Sequence, residues 1–265
     1  MVKKKLSVYD LKNLKGKRQI NEVFVNNEEE AIAAEEAGID IITAAYGMPQ
    51  FGFNATLDDM VRIRKSCPNT HLMSAPPIFS YASSYEAIKS SYSLLSIGID
   101  SVYTANSCKW IREMTDEKIP VISHVGLIPS QVTWLGGFRA IGKTAIEAKD
   151  VYYHTLSLQD AGVFAVEMEV VPKQIASFIT KNVDILIHDS HFTKSDLPNH
   201  LGWGHSSWAN AVDVANLTRT GWTDRCGGNQ STDYGYCVGG SIQPRSAGQP
   251  WEDINKWAFA TDADA

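Results

Sequence analysis

The sequence is short of the features that would place it outside the ordinary globular enzymes. It has no apolar run approaching the roughly 20 residues that cross a bilayer. Its basic start has no apolar core behind it, so no secretory leader is expected. Positive charge is scarce: 24 Lys and Arg stand against 30 Asp and Glu, a net charge of −6. That balance lacks the electrostatic footprint of a nucleic-acid binder. The one basic run, Lys3 to Lys5 with Lys12, Lys15, Lys17 and Arg18 behind it, reads as a solvated N-terminal tail. Cysteine is also sparse. Cys67, Cys108, Cys226 and Cys237 show no CxxC spacing and no zinc-type histidine pattern. They read as thiols of a reducing cytoplasm. Spacing leaves open whether Cys226 and Cys237 pair.

What is present is a folded chain of 265 residues, 44% hydrophobic and 20% charged, close to globular averages. From about 20 to 190, short β-rich runs alternate with helical patterns. Residues 20–26 read as a strand, and Asn27 as the N-cap of a helix with Glu28, Glu29 and Glu30 in its first turn. That helix stops at Gly38. Strands follow at 39–44, 71–75, 99–104, 119–124, 163–169 and 183–188. Helices are expected near 57–66, 84–97, 108–115, 143–161 and 172–181, with Gly98 and Gly162 closing two of them. Seven apolar strands separated by helices predict a parallel sheet covered by helices. The repetition predicts a single (β/α)8 TIM barrel over 1–265, its eighth unit hidden in a divergent Trp- and Gly-rich segment at 195–265. A doubly wound open sheet is the alternative, weakened by the lack of GxGxxG at a first strand–helix turn.

That last segment holds Trp203, Trp208, Trp222, Trp251 and Trp257, five of the seven tryptophans. Such density fits packing at a barrel end or a subunit interface better than a ligand cage. Residues 207–218 read as a last barrel helix, and 226–248 as a long loop that would cover the barrel mouth.

In a barrel the chemistry sits at the C-terminal ends of the strands. That rule selects Tyr46, Ser74, Asn106, His124, Glu167 with Glu169, and His188 with Asp189. Glu167 and Glu169 lie two apart and share a strand face. Either could instead pair with Arg139 or Lys143, and Asp189 could serve as an N-cap. Cys108 lies just past strand four, with no base nearby in sequence, and reads as a half-buried thiol rather than a nucleophile. His191 reads as a loop histidine.

Ser123 to Lys143, SHVGLIPSQVTWLGGFRAIGK, closely resembles the HxGLTPQ…GGxxxQGK region of ketopantoate hydroxymethyltransferases, barrels of the phosphoenolpyruvate mutase and isocitrate lyase group. Glu36-Ala37-Gly38-Ile39-Asp40 is similar to that family's EAGxD joint. Asp160-Ala161-Gly162 with Glu169-Val170-Val171-Pro172 is similar to its AGAF…LExVP turn, and Thr56-Leu57 and Phe79-Ser80-Tyr81 fall in family order. The resemblance covers about 6 to 187. It implies transfer of a hydroxymethyl unit from methylenetetrahydrofolate to a branched 2-oxo acid. A divalent metal acidifies the C–H beside the ketone, the glutamate at the Glu169 position takes part in proton transfer, and subunits assemble into homo-oligomers.

The departures shape the expectation. Where the family carries acids in GDS, ADLPF and KIEGG, this chain reads Thr43-Ala44-Ala45-Tyr46-Gly47, Ala75-Pro76-Pro77-Ile78-Phe79 and Tyr103-Thr104-Ala105-Asn106-Ser107. Magnesium requires hard oxygen ligands that alanine and proline do not supply. The family's glycine-rich seventh turn is replaced by His188-Asp189-Ser190-His191. With Glu167, this set suits a transition metal better than magnesium. The reading is an enzyme of 2-oxo-acid or enolate carbon–carbon chemistry. Glu169 and His124 are catalytic; Tyr46, Ser74, Asn106, Arg139 and Lys143 bind substrate; His188, Asp189 and Glu167 hold any metal. Methylenetetrahydrofolate enters only if the family reaction is kept. A hydroxymethyltransferase with a relocated metal and a non-catalytic binding or assembly subunit are the alternatives. The expected partners are a small-molecule 2-oxo acid and further copies of the chain, with no nucleic acid and no membrane.

Overall fold

A computed structural model describes residues 4–15, 17–18, 20–49, 54–180, 186–189 and 236–241, the last two segments as backbone. Six strands alternate with helices through this chain. They are β1 (Ile20–Phe24), β2 (Ile41–Ala45), β3 (His71–Ala75), β4 (Ser101–Tyr103), β5 (Val121–Gly126) and β6 (Ala165–Glu169). The helices are α1 (Val8–Leu14), α2 (Glu28–Glu36), α3 (Leu57–Ser66), α4 (Ser84–Ser96), α5 (Cys108–Asp116), α6 (Val132–Leu135), α7 (Ala145–Asp160) and α8 (Lys173–Thr180). Two further strands, β7 (Leu186–Asp189) and β8 (Tyr236–Ser241), continue the order. Every neighbouring pair is parallel, and β8 lies against β1, so the curled sheet closes. Among the described residues no helix is long and apolar enough to cross a membrane.

The helices start where short polar side chains can satisfy their first N–H groups. Asn27 accepts from the Glu30 amide at 2.9 Å, as expected. Thr56 and Asp59 form a reciprocal capping box on α3. Ser83, Ser107 and Thr144 cap α4, α5 and α7. The expected breaks at Gly38, Gly98 and Gly162 all fall one or two residues past a helix.

Strand alternation then separates two cores. Outward residues such as Ile42, Leu72, Val102, Val121 and Met168 pack against Met60, Ile63, Leu94, Ile111 and Leu158 of the surrounding helices. Inward residues Ile20, Ile41, Met73, Ile122 and Ala165 form the lower barrel interior with Leu11 and Phe164.

Leu11 belongs to α1, which the sequence reading passed over as part of a solvated tail. Seven residues span too few turns for their periodicity to announce a helix, yet a Ser7–Asp10 capping box starts it. Leu6, Val8 and Leu14 close against the lower interior cluster. Lys4 and Lys5 of the basic run pair with Asp10 and Asp100. A second departure is β8. It falls within 226–248, where glycine and serine hid any strand pattern and a loop was expected. The expected helix at 207–218, His191, Cys226 and the five late tryptophans lie outside the described residues.

The floor of the barrel is fastened by polar groups. Arg18 grips Asp40 with two 2.7 Å hydrogen bonds. Arg64 joins Asp100 at 2.8 Å and donates to the Thr70 carbonyl at 2.9 Å. Buried His71 touches the Leu6 carbonyl through Nδ1 at 2.9 Å and Ser101 Oγ through Nε2 at 2.8 Å. A carbonyl only accepts, so Nδ1 carries the hydrogen and Nε2 accepts from Ser101.

The roof is fastened differently. The Leu127 amide donates to the Glu169 carbonyl at 2.9 Å, and Ile141 to the Val170 carbonyl at 3.0 Å. These bonds tie the loop after β5 to the end of β6. Gly126 makes this approach possible. Its φ is +87°, and a Cβ there would lie 2.2 Å from the Glu169 carbonyl oxygen and 2.6 Å from Val171 Cγ2. Only glycine fits such a place.

Two outcomes follow from the floor and the roof. Burial pushes the His71 pKa down, against smaller raising contributions from Leu6 and Asp100. The unfolded chain, with histidine near its ordinary ~6.5, then binds the proton more readily than the folded one. Stability from neutral His71 is complete above about 6.5 and falls as pH drops toward the folded value. Urea midpoints from pH 7 to 5 should fall more steeply in the native protein than in His71→Asn; equal slopes would contradict this. Gly126→Ala should cost about 3 kcal/mol or more, combining backbone strain and overpacking. Thermal unfolding within about a degree of the native protein would contradict the clash.

Candidate active site

Two residues above the apolar floor, each strand presents its next inward side chain. The floor residues Ile20, Ile41, Ile122 and Ala165 give way to Glu22, Thr43, His124 and Glu167. Tyr103 follows Ser101 in the same way on β4. A polar layer therefore sits directly on an apolar one, toward the C-terminal end of the strands, where barrels of this kind place their chemistry.

The layer is joined by contacts across strands. Thr43 donates to Glu22. The Tyr103 hydroxyl meets His124 Nδ1, and their ring centroids are 5.8 Å apart. Tyr103 also hydrogen-bonds Glu167. Register sets His124 beside Glu167 and Gly126 beside Glu169. His124 Nε2 lies 3.2 Å from Glu169 Oε2. This approach is at ion-pair distance but is not aligned as a hydrogen bond. Both partners are largely shielded, His124 4% and Glu169 8% exposed. Burial pushes the Tyr103 pKa well above its ordinary value, followed by the charge and hydrogen bond of Glu167 and the charges of Glu169 and Glu22. The phenol is therefore held as a proton donor.

Closer to the mouth lies a neutral polar group. Asn106 Nδ2 donates to the Tyr81 hydroxyl at 3.2 Å, and its amide to Thr104 Oγ1 at 3.3 Å. Tyr81 also lies against Trp110, ring centroids 6.4 Å apart. Tyr46 is half-buried, and its pKa is raised by burial and then by Tyr81.

The structure thus brings His124, Glu167 and Glu169 together and sets Tyr46 and Asn106 near Tyr81. Other residues selected from the sequence are placed elsewhere. Ser74 is buried on the outer face, its hydroxyl against Met60 Sδ at 3.5 Å. Arg139 is tied to Glu147 Oε1 at 2.7 Å and to the Leu135 carbonyl at 2.8 Å. Its partner is therefore Glu147 rather than Glu167 or Glu169. Lys143 is exposed in the loop before α7. Cys108 is free and half-buried, and burial pushes its thiol pKa up, away from the thiolate. The backbone of β7 pairs His188 with Met168 and Asp189 with Gly239. Met168 belongs to the outer core; the side chains of His188 and Asp189 lie outside the described residues.

Sequence reasoning missed Tyr103, Glu22 and Thr43. Tyr103 was noted only as part of a departing motif. Glu22 was visible as a charge two residues from Ile20 on one strand face. Register pairs it with Ile41 and Thr43 with Phe24, so its diagonal contact with Thr43 needed the folded sheet to be seen.

Chemically, the layer offers a carboxylate and an imidazole in contact, backed by a neutral phenol and a second carboxylate. Such a set can accept, hold and return a proton. Among the described residues, no group of three or more His, Cys, Asp or Glu side chains is arranged to hold a metal ion.

Comparison with known proteins agrees with this architecture. Residues 5–187 match the family described as Ketopantoate hydroxymethyltransferase. A 3-methyl-2-oxobutanoate hydroxymethyltransferase from Kosmotoga olearia is 31% identical over 194 residues, 68% of this chain and 73% of that protein. The enzyme of the same name from Pyrobaculum islandicum is 32% identical over 169 residues, 58% of this chain and 65% of that protein. Among solved structures, 2,3-dimethylmalate lyase, described as a member of the PEP mutase/isocitrate lyase superfamily, superposes with a TM-score of 0.56 at 12% identity. That match covers 87% of this chain and 80% of the lyase. A putative phosphonomutase from Burkholderia cenocepacia J2315 gives 0.58 at 9% identity, covering 88% and 90%. These structural likenesses concern the fold. The family match spans the whole polar layer from β1 to β6, and with it the chain belongs to the ketopantoate hydroxymethyltransferase family, a family of enzymes.

Proposed function

We propose that this protein catalyses carbon–carbon chemistry on a small 2-oxo acid through an enolate, with Glu169 as the base and His124 as its proton-exchanging partner. The buried contact between His124 Nε2 and Glu169 Oε2 at 3.2 Å carries the reading. Glu169 takes the proton from the carbon beside the ketone. The electron pair of that C–H bond moves toward the ketone oxygen; the resulting enolate then forms a C–C bond to an electrophilic one-carbon donor, whose π pair moves onto its own heteroatom. His124 orients the carboxylate and receives the proton from it. Tyr46 and Asn106, beside Tyr81 at the mouth, supply neutral donors to the substrate oxygens. Lys143, exposed on the loop that ties β5 to β6, offers positive charge toward the substrate carboxylate, while Arg139 is held by Glu147. Ser74 supports β3 from its outer face.

We place this chemistry in a (β/α)8 barrel whose eighth unit lies within 195–265, in a cytoplasmic homo-oligomer. Magnesium held by acids at the ends of β2, β3 and β4 does not suit this chain. Those ends carry Ala45, Ala75 and Tyr103, and the described side chains do not converge as a metal site. No step above passes through a metal. The second reading is a hydroxymethyltransferase with a relocated metal on Glu167, His188 and Asp189. It rests on β7 running directly beside β6.

A panel of branched 2-oxo acids, assayed with and without methylenetetrahydrofolate and with and without a chelator, tests both. We expect turnover that survives chelation and falls at least roughly a hundredfold in His124→Ala and in Glu169→Gln. Native-like turnover in both variants would contradict the assignment. Activity abolished by the chelator and restored by a transition metal would favour the relocated-metal reading.

A further inference from the structure

The upper interior of the barrel is unevenly filled. Eight-stranded barrels normally pack their inward side chains into layers that leave no pore. Here the inward position above Thr43 on β2 is Ala45, and the one above Met73 on β3 is Ala75. Register sets these two alanines side by side. Gly126, two residues past His124 on β5, brings no side chain at all. Glu22, Thr43, Ala75 and Glu167 keep partial exposure, whereas the outward residues beside them, Val23, Ala44, Ser74 and Met168, are buried. The accessible space therefore lies inside the barrel, at and above the polar layer.

Its two sides differ in chemistry. Glu169 and His124 stand on β6 and β5. On β2 and β3 stand two methyl groups, which neither donate nor accept a hydrogen bond. Thr43 beneath them already gives its hydrogen to Glu22. Tyr103, the next inward side chain on β4, turns its hydroxyl to His124 and Glu167. The corner is also held in shape. Pro76 and Pro77 follow Ala75 directly, and a Cβ on Gly47 would lie 2.8 Å from Pro77 Cβ. The ends of β2 and β3 are packed together and have little freedom to close over the space. A ketone or carboxylate placed here would lose its water and find no donor in return. An apolar group placed here gains by leaving water.

We propose that Ala45 and Ala75 are specificity-determining residues, forming an apolar corner that receives a bulky alkyl or aryl substituent on C3 of the 2-oxo acid. The proposal rests on the enolate reading above and names the class of acid that the site takes. In a closed barrel of this strand order β2 lies across the interior from β6. A substrate with its C3 hydrogen at Glu169 therefore directs the remaining substituent of that carbon toward the two alanines. The same strand ends that do not suit magnesium thus have a use: the volume that larger side chains would fill there is left to the substrate.

Exchange of the C3 hydrogens in deuterated buffer, followed by proton NMR and compared with the uncatalysed rate, tests this on pyruvate, 3-methyl-2-oxobutanoate, 4-methyl-2-oxopentanoate and phenylpyruvate. For the native protein we expect kcat/KM at least roughly tenfold higher for the last two than for pyruvate, since a single methylene in an apolar pocket is worth about that much. In Ala75→Leu that advantage should shrink at least roughly tenfold, with pyruvate exchange within about threefold of native. Native protein that exchanges pyruvate as fast as the two large acids would overturn the proposal, and that comparison needs no variant. An unchanged ratio in a folded Ala75→Leu protein would also overturn it, because a merely structural alanine lowers every rate together. Calorimetric binding of phenylpyruvate separates the proposal from the reading beneath it. If no acid exchanges, yet phenylpyruvate binds the native protein and binds Ala75→Leu at least roughly tenfold more weakly, the apolar corner is upheld and the enolate chemistry is overturned. Equal binding by both proteins, or binding by neither, overturns the corner itself.

Discussion

A carboxylate and an imidazole buried side by side constrain the whole upper half of this barrel. Taking an ionisable group out of water is costly unless charge and hydrogen bonds are returned to it. Glu169 and His124 meet each other, and behind His124 the arrangement continues through Tyr103 to Glu167. Glu22 and Thr43 extend the polar layer toward β1 and β2. Glu22, Thr43, His124 and Glu167 lie one inward position above the apolar floor, and Glu169 lies one position higher. Moving the register of one strand by a residue would turn its polar group into the helix layer.

That layer depends on fixed relations above and below. Beneath it, Leu11 of α1 and the aliphatic floor exclude water from the lower barrel. Arg18–Asp40 and Arg64–Asp100 hold the strand starts at the same end. Above it, the chain turns at Gly126 and is tied to the Glu169 and Val170 carbonyls. The position of Glu169 is thus set by backbone hydrogen bonds and by a glycine that lets two segments approach. This is a physical reason for the His124-to-Lys143 segment to look as it does: its first residue is in the polar layer, and its glycine shapes the strand end that carries Glu169.

Much of this was legible in the residues. Asn27, Thr56, Ser83 and Thr144 are short polar caps, and Gly38, Gly98 and Gly162 are breaks, so helix limits could be read locally. Strands two to six were apolar enough to stand out. The helix α1 and the strand β8 were not, because one is a single capped pair of turns and the other is rich in glycine. His124 and the two glutamates of β6 were found because the strand-end rule applies to one strand at a time. Ser74 shows the limit of that rule. It stands near a strand end yet faces Met60, since inward or outward is decided by register with neighbours. Tyr103 and Glu22 escaped for the same reason: their roles arise from partners 21 residues or more away in sequence. Arg139 was read as a substrate cation, but a nearby Glu147 occupies its guanidinium.

The central claim is that Glu169, in contact with His124, removes a proton from carbon. Exchange of the C3 hydrogen of 3-methyl-2-oxobutanoate in deuterated buffer, followed by proton NMR, tests it most directly because no second substrate is needed. The account predicts enzyme-dependent loss of that signal with the native protein and exchange at the uncatalysed rate with Glu169→Gln. Equal exchange by both proteins, or none by either, would contradict it.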